Sequence, residues 1–360
     1  MIFRALIAEL NHIASCRIYL CSLTLFPMLS ILFFAIFFHN NAIDNLPIAV
    51  IDNDQTTTSQ SLISLFDATP SVCVAFRAQS HSEAELLMRR GEIVAFVMIP
   101  KHFESQILQA QSTTVALYNS GTNISTNGFI ERDIQSVVTT FGAAVTLNIL
   151  GSKGLNQQQG LAQIMPVTFE SHLLFNPYLN YGYYIAPCFM ALIIIMFTSL
   201  STVYAIAERK GNTQSTIIGR TLPTTVAMSF WGAIMLLMLK IVVNIPILGN
   251  IWLIFGGTIA LIIAYQAIAI LIVEISRSRH LALSLCSGYA VLAFTFSGLT
   301  FPTTAFYTPL KIASHFFPFT YYIELMVDQT VRGASSIYSV GLVGKMLLFS
   351  IAPIFLRKRL

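Results

Sequence analysis

Charge is what this sequence has least of. Lysine, arginine, aspartate and glutamate make up 10% of its 360 residues, against roughly 25% in an ordinary soluble domain, whereas 55% are hydrophobic. That composition excludes an ordinary soluble fold and fits a membrane protein. Cysteine is sparse too: Cys16, Cys21, Cys188 and Cys286 lie in or beside apolar tracts, leaving Cys73 alone in the polar region. A disulfide framework is thereby excluded there, and Cys73 reads as a small buried apolar residue. The chain has no G-x-x-x-x-G-K-[ST], no H-E-x-x-H and no G-x-S-x-G. It therefore cradles no nucleotide in a P-loop and lacks the marks of the best-signposted membrane hydrolases. The seven histidines are scattered; His102 and Glu104, two apart on a predicted helix, point in different directions and read as solvated surface rather than metal ligands. No catalytic set, metal site or nucleic-acid motif emerges.

What is present is a set of six apolar tracts, each near the roughly 20 residues that cross a bilayer as a helix. They cover 18–39, 179–207, 222–247, 251–273, 281–298 and 337–356. The first is too long for a signal-peptide core of about 7–15 residues and precedes no A-x-A site, so it reads as a retained anchor. The expected fold is thus an α-helical polytopic membrane protein with six transmembrane helices. Placing both termini, the 208–221 loop and the 274–280 loop on one side gathers Arg4, Arg17, Arg209, Lys210, Arg220, Arg277, Arg279, Arg357, Lys358 and Arg359 there. Only Glu9, Glu208 and Glu274 oppose them, while 40–178 carries six basic against eleven acidic residues. The positive-inside rule then makes both termini cytoplasmic and 40–178 extracytoplasmic.

Residues 1–17 suit an amphipathic helix in the cytoplasmic interface, with Ile2, Leu6, Leu10 and Ile13 on one face. Segment 40–178 reads as an inserted α/β domain. Strands are expected at 46–52, 71–76, 93–100 and 113–119, and helices at 56–66, 82–90, 101–110 and 124–150, giving a parallel or mixed sheet. Segment 299–336 is too apolar for an exposed loop, yet Pro302, Pro309 and Pro318 interrupt any single span. It reads as two short re-entrant helices, a candidate lining or lid of a pathway. Within it Glu324, Asp328 and Arg332 fall at helical spacing, for an Asp328–Arg332 pair or for direct contact with substrate. The span centres contain essentially no ionisable group. Lys240, near a span end, suits snorkelling, and Gln266 suits a helix-to-helix hydrogen bond. Without an intramembrane carboxylate the chain has no obvious means of working as a proton-driven carrier.

Several stretches in order carry a resemblance: "LPIAVIDNDQTTTSQSLISLF" after the first tract, "RRGEIVAFVMIPKHFESQIL" in the α/β region, "FNPYLNYGYYIAP" entering the second tract, and "SGLTFP" then "FPFTYYIELMVDQTVRG" before the last. Together they resemble the permease subunit of an ABC-2 type exporter, of the kind with a large extracytoplasmic domain between the first two spans. The stretch 208–215 is similar to that family's cytoplasmic motif, roughly E-R-E-x-G-T-x-E. Glu208, Arg209 and Thr213 match it, Lys210 and Ser215 stand where acids are usual, and Asn212 takes the glycine position. The resemblance implies that Glu208, Arg209, Lys210, Gly211, Asn212 and Thr213 couple the spans to separate cytosolic ATPases. Those subunits would hold the ATP and Mg; this chain would bind no cofactor. It further implies a homodimer, or a heterodimer with a paralogous permease, in a bacterial inner membrane. An amphipathic or hydrophobic substrate would leave past Phe301, Pro302, Pro318, Glu324, Asp328 and Arg332. A membrane-fusion protein and an outer-membrane channel are left open as further partners beside membrane lipid. Two other classes stand beside this reading. A membrane-anchored receptor would need fewer spans and an output domain, and a membrane-embedded transferase would need a cluster of catalytic groups.

Overall fold

The computed structural model describes residues 2–39, 44–109, 111–120, 124–152, 180–207, 213–299 and 302–351. The chain divides into two compact units, Ala42–His172 and the combination of Met1–Asn41 with Leu173–Leu360.

The first unit is an α/β domain. Strands β1 (Leu46–Asp52), β2 (Val72–Arg77), β3 (Ala95–Ile99) and β4 (Ala116–Asn119) form one sheet in the order β2-β1-β3-β4. β1 runs parallel to β2 and β3, and β4 antiparallel to β3. Side chains alternate across a pleated sheet, and the central strand β1 is apolar at both phases because both faces are covered. On one face Ile48 and Val50 meet Leu62, Ile63 and Phe66 of α4 (Thr57–Asp67), Phe103 of α6 (Phe103–Leu108), and Ile130 and Ile134 of α7 (Ile124–Ser152). On the other, Ala49, Ile51 and Phe96 pack against Ala84 of α5 (His81–Arg89). Helix α4 opens with a capping box in which Thr56 and Ser59 each accept the other's backbone N–H, satisfying two orphan donors. Cys73 departs from expectation. It is partly exposed because β2 is an edge strand.

The second unit is helical. Helix α1 (Ile2–Ser15) leads into α2 (Arg17–Leu23) and α3 (Leu25–Phe37), and the long helices are α8 (Tyr181–Ile206), α9 (Gln214–Ile241) and α10 (Ile251–Ser276). Then come α11 (Arg279–Thr295), α12 (Thr308–Ser314), α13 (Pro318–Val327), a π-helical turn (Asp328–Arg332) and α14 (Ser336–Leu348). Among the described residues, four stretches are long and apolar enough to cross a membrane: Arg17–Phe37, Gly182–Ile206, Gln214–Ile241 and Ile251–Ser276. Helix α11 has 17 residues, and the apolar helical stretch that begins with α14 runs over Ser336–Ile351 to the end of the described residues. Gly182–Ile206 is 67% buried and Arg17–Phe37 only 28%, so α8 lies at the centre of this bundle and α2–α3 at its rim.

Two boundaries differ from the sequence reading for local reasons. Helix α9 starts at Gln214, inside the stretch expected as loop, because no glycine or proline interrupts 214–218. It ends at Ile241 rather than near 247. Beyond it Asn244 is left-handed (φ 56) and precedes Ile245-Pro246, where the residue before proline is pushed out of the helical region.

Candidate functional site

The segment that the sequence marks for coupling, Glu208, Arg209, Lys210, Gly211 and Asn212, lies outside the described residues; its last member, Thr213, does not. Thr213 occupies the N-cap position of α9, where its carbonyl accepts the N–H groups of Thr216 and Ile217 at 3.0 Å. Its hydroxyl lies 2.7 Å from that of Thr216. One turn further on, α9 meets α1. A Cβ on Gly219 would sit 2.6 Å from the Ile2 carbonyl oxygen and 2.8 Å from Ala5 Cβ, so only glycine allows the two helices this close.

Helix α1 packs one face against the bundle and leaves most of its apolar residues uncovered by the chain. Glu9 and Ile13 are buried, whereas Ile2, Phe3, Ile7 and Leu10 are exposed. Glu9 Oε1 is 3.7 Å from His12 Nδ1, and the His12 ring lies 5.7 Å from that of Tyr19. Tyr19 is fully buried; its hydroxyl is 3.3 Å from Thr224 Oγ1 of α9 and its ring stacks at 5.8 Å on Tyr204 of α8. The Arg279 guanidinium at the start of α11 covers the other partner, 5.9 Å from the Tyr204 centroid. One polar and aromatic cluster thus ties α1, α2, α8, α9 and α11 together where α8 ends and α9 begins. The sequence reading does not single out Tyr19 or Tyr204, since an aromatic inside an apolar tract carries no sign of which hydroxyl it will meet.

Gln266 behaves as its chemistry suggests. Its Nε2 donates to the Thr221 carbonyl at 3.1 Å and its Oε1 accepts from Thr225 Oγ1 at 2.9 Å, joining α10 to α9 through both ends of the amide.

At the other candidate segment, Phe301 lies outside the described residues. Pro302 precedes a 3-10 turn at Thr303–Ala305, Pro309 lies in the first turn of α12 and Pro318 opens α13. The prolines therefore start helices, at positions whose N–H would be unsatisfied anyway. The segment is held by hydrogen bonds from tyrosines. Tyr184 of α8 donates to the carbonyls of Gly298 and Leu299, Tyr289 of α11 donates to that of Phe316, and Tyr322 of α13 is 2.9 Å from Thr258 Oγ1 of α10. Asp328 and Arg332 are brought together at 3.0 Å. Glu324 is exposed and stands apart from that pair.

Gln329, absent from the sequence reading, is the centre of this region. It is fully buried in the π-helical turn. Its Nε2 donates to the Ala334 carbonyl at 3.0 Å and to Ser339 Oγ at 2.9 Å, its Oε1 accepts the Asn250 N–H at 2.9 Å, and its carbonyl accepts the Gly249 N–H at 2.8 Å. The loop before α10 is thereby stapled to the start of α14. A second omission is Lys345, an ionisable residue within the last apolar tract, whose ammonium lies 5.4 Å from the Tyr321 ring centroid.

In the α/β unit the turn after β1 gathers Asp52, Asp54 and Glu104, and hydrogen bonding accounts for them. Asp52 accepts four hydrogen bonds, from the Asp54 and Gln55 N–H groups, Ser59 Oγ and Gln60 Nε2. Asp54 Oδ2 accepts Thr56 Oγ1 and the Glu104 N–H, closing an open donor at the start of α6. Glu104 accepts from Thr58 Oγ1 and so is part of this cap rather than solvated surface. Among the described residues no group of three or more His, Cys, Asp or Glu could hold a metal ion.

The comparisons agree with the architecture. The family model described as ABC-2 family transporter protein matches residues 17–356, from the start of α2 to beyond α14. No curated protein and no solved structure matches the chain. With its apolar helices and a match over nearly its whole length, the chain belongs to the ABC-2 family of transporter proteins.

Proposed function

We propose that this chain is the membrane-spanning permease subunit of an ATP-driven exporter, crossing a bacterial inner membrane six times with both termini inside. It works as a dimer, with itself or with a paralogous permease, and takes its energy from separate cytosolic ATPases that bind the ATP and Mg. The observation that carries this reading is the family match over 17–356 in a chain without a P-loop. In this reading the engine is a separate ATPase subunit. Its push would enter through Glu208–Thr213, and the tight contact of Gly219 with α1, together with the Tyr19–Tyr204 cluster, supports transfer of that push to α1, α2, α8 and α9 as one body. An amphipathic or hydrophobic substrate would leave past the 299–336 segment toward the outer side.

Affinity purification of the full chain from its native membranes should bring down a P-loop ATPase, and the pair in liposomes should move cargo only with ATP. Uphill movement by the chain alone, driven by an ion gradient, would sink the proposal.

A further inference from the structure

We propose that Lys345, with Tyr321 and His315, forms the binding site for the head of an anionic amphipath carried by this transporter; the cargo assignment rests on the exporter reading above. The three residues come from three elements. Lys345 on α14 sets its ammonium 5.4 Å from the centroid of the Tyr321 ring of α13. The Tyr321 hydroxyl lies 3.2 Å from both Nδ1 and the carbonyl oxygen of His315, which ends α12. The hydroxyl is thus held toward α12 and the ring face is left beneath the cation, an arrangement that fixes a charge rather than merely tolerating one.

The depth of this cluster makes it unusual. Tyr322, beside Tyr321, bonds to Thr258, and a Cβ on Gly257 would lie 3.8 Å from Met346 Cε, beside Lys345. Counting from Ile251, Gly257 and Thr258 are the seventh and eighth residues of α10, about 10 Å along a helix that rises 1.5 Å per residue. A lysine at that depth of a spanning bundle marks a functional site by default, and its partner has to be found. Among the described residues no carboxylate lies within 4.0 Å of Lys345. Simple snorkelling would carry the ammonium along the helix toward water; here it is turned onto a ring of the neighbouring helix.

The surroundings define the ligand. Lys345, His315 and Glu324 are exposed, as is Lys311 one turn before His315. Asp328 and Arg332 already pair with each other. Two lysines against Glu324, which has no salt-bridge partner among the described residues, favour an anion, and Glu324 favours one of single charge. Ile312, Phe316 and Leu348 are 58%, 67% and 63% exposed and offer apolar contact for a chain. A Cβ on Gly341 or Gly344 would meet nothing within 4 Å, so the α14 surface beside Lys345 is open to a ligand.

The test uses the purified full chain in dodecyl maltoside. Native mass spectrometry and thermal melting measure its binding of dioleoyl-phosphatidylglycerol, with dioleoyl-phosphatidylcholine as the uncharged-overall control and sn-glycerol 3-phosphate as a head without a chain. Expected are preference for the phosphatidylglycerol, at least tenfold weaker binding in Lys345→Met, binding within threefold of the parent in Lys345→Arg, and tighter binding in Glu324→Gln. Unchanged melting of Lys345→Met without lipid shows that the variant is folded. Equal binding by Lys345→Met, or equal binding of the two lipids, overturns the site; competition by sn-glycerol 3-phosphate at equal concentration overturns the amphipath. With the co-purified ATPase, phosphatidylglycerol should raise ATP hydrolysis in the parent and not in Lys345→Met. Binding without that rise marks a resident lipid and overturns the cargo assignment. If no ATPase co-purifies, the exporter reading fails while the binding measurements still decide the site.

Discussion

Trp231 of α9 donates its indole N–H to the carbonyl oxygen of Leu23 at 2.8 Å. Leu23 lies four residues before Pro27, so its carbonyl has lost its normal helical donor. An unsatisfied carbonyl in a bilayer is costly, and α9 supplies the missing proton across the helix pair. The break between α2 and α3 is thereby a docking point as well as a kink.

Trp231→Phe should therefore destabilise the bundle by about 1–3 kcal/mol, the usual penalty for a buried polar group left without its partner. Pro27→Ala restores a local N–H, and the double variant should lose less than Trp231→Phe alone. Thermal unfolding followed by circular dichroism in detergent gives the cycle. Equal losses with and without Pro27 would refute the compensation.

Gly249→Ala would drive a methyl group into the Gln329 side-chain amide and within 3.1 Å of Gln329 Cα. Overpacking of this kind costs about 1–3 kcal/mol. Faster hydrogen exchange is expected at 248–250 and at Ala334, the residues tied to the Gln329 region, with little change in α8.

Gln266→Leu should cost no more than about 1 kcal/mol. Interhelical hydrogen bonds in membranes average roughly 0.6 kcal/mol, and the Thr221 carbonyl keeps the Thr225 hydroxyl at 3.1 Å. A much larger loss in thermal unfolding would give Gln266 a role beyond joining α9 to α10.

Gly219→Val should separate α1 from α9, since the nearest obstacle is the backbone oxygen of Ile2 and cannot rotate away. The N-terminal helix should become more sensitive to protease. In the reconstituted complex, ATP hydrolysis should continue while export falls by tenfold or more. Tight coupling in this variant would remove α1 from the transmission.

Acid should loosen the turn that joins β1, α4 and α6. Partial burial pushes the Asp54 carboxyl up, but the N–H groups of Glu104, Phe103 and His102 and the Thr56 hydroxyl together hold it below its usual value of 3.8. A depressed carboxylate stabilises the fold fully above its unfolded value, near 3.9, and loses that contribution as pH falls through the lower folded value. Relative to their intrinsic rates at each pH, the amides of Phe103 and Glu104 in the full chain should exchange faster below about pH 4. Asp54→Asn should show the fast exchange already at neutral pH.

Much of the architecture was legible because hydrophobic patterning is local. A run such as 251–273 is apolar at every helical phase, and β1 at both strand phases, so span and strand declare themselves without their neighbours. The Asp328–Arg332 pair was legible for the same reason, being a spacing of four on one element. Helix ends were read less well, since the start of 214–218 is polar like a loop yet the stretch contains no glycine or proline to stop a helix.

By itself, then, the sequence determined that the chain is apolar and multi-helical, that an α/β unit interrupts it after the first tract, and that it owns no P-loop. Only the tertiary structure decided which polar groups matter. Tyr19, Gln329 and Lys345 are ordinary letters until helices distant in sequence bring Thr224, Asn250 and Tyr321 to them. The reason is physical: burial of apolar surface is additive along a chain, whereas a hydrogen bond or a cation over a ring exists only when two separate elements place both partners within a few ångströms.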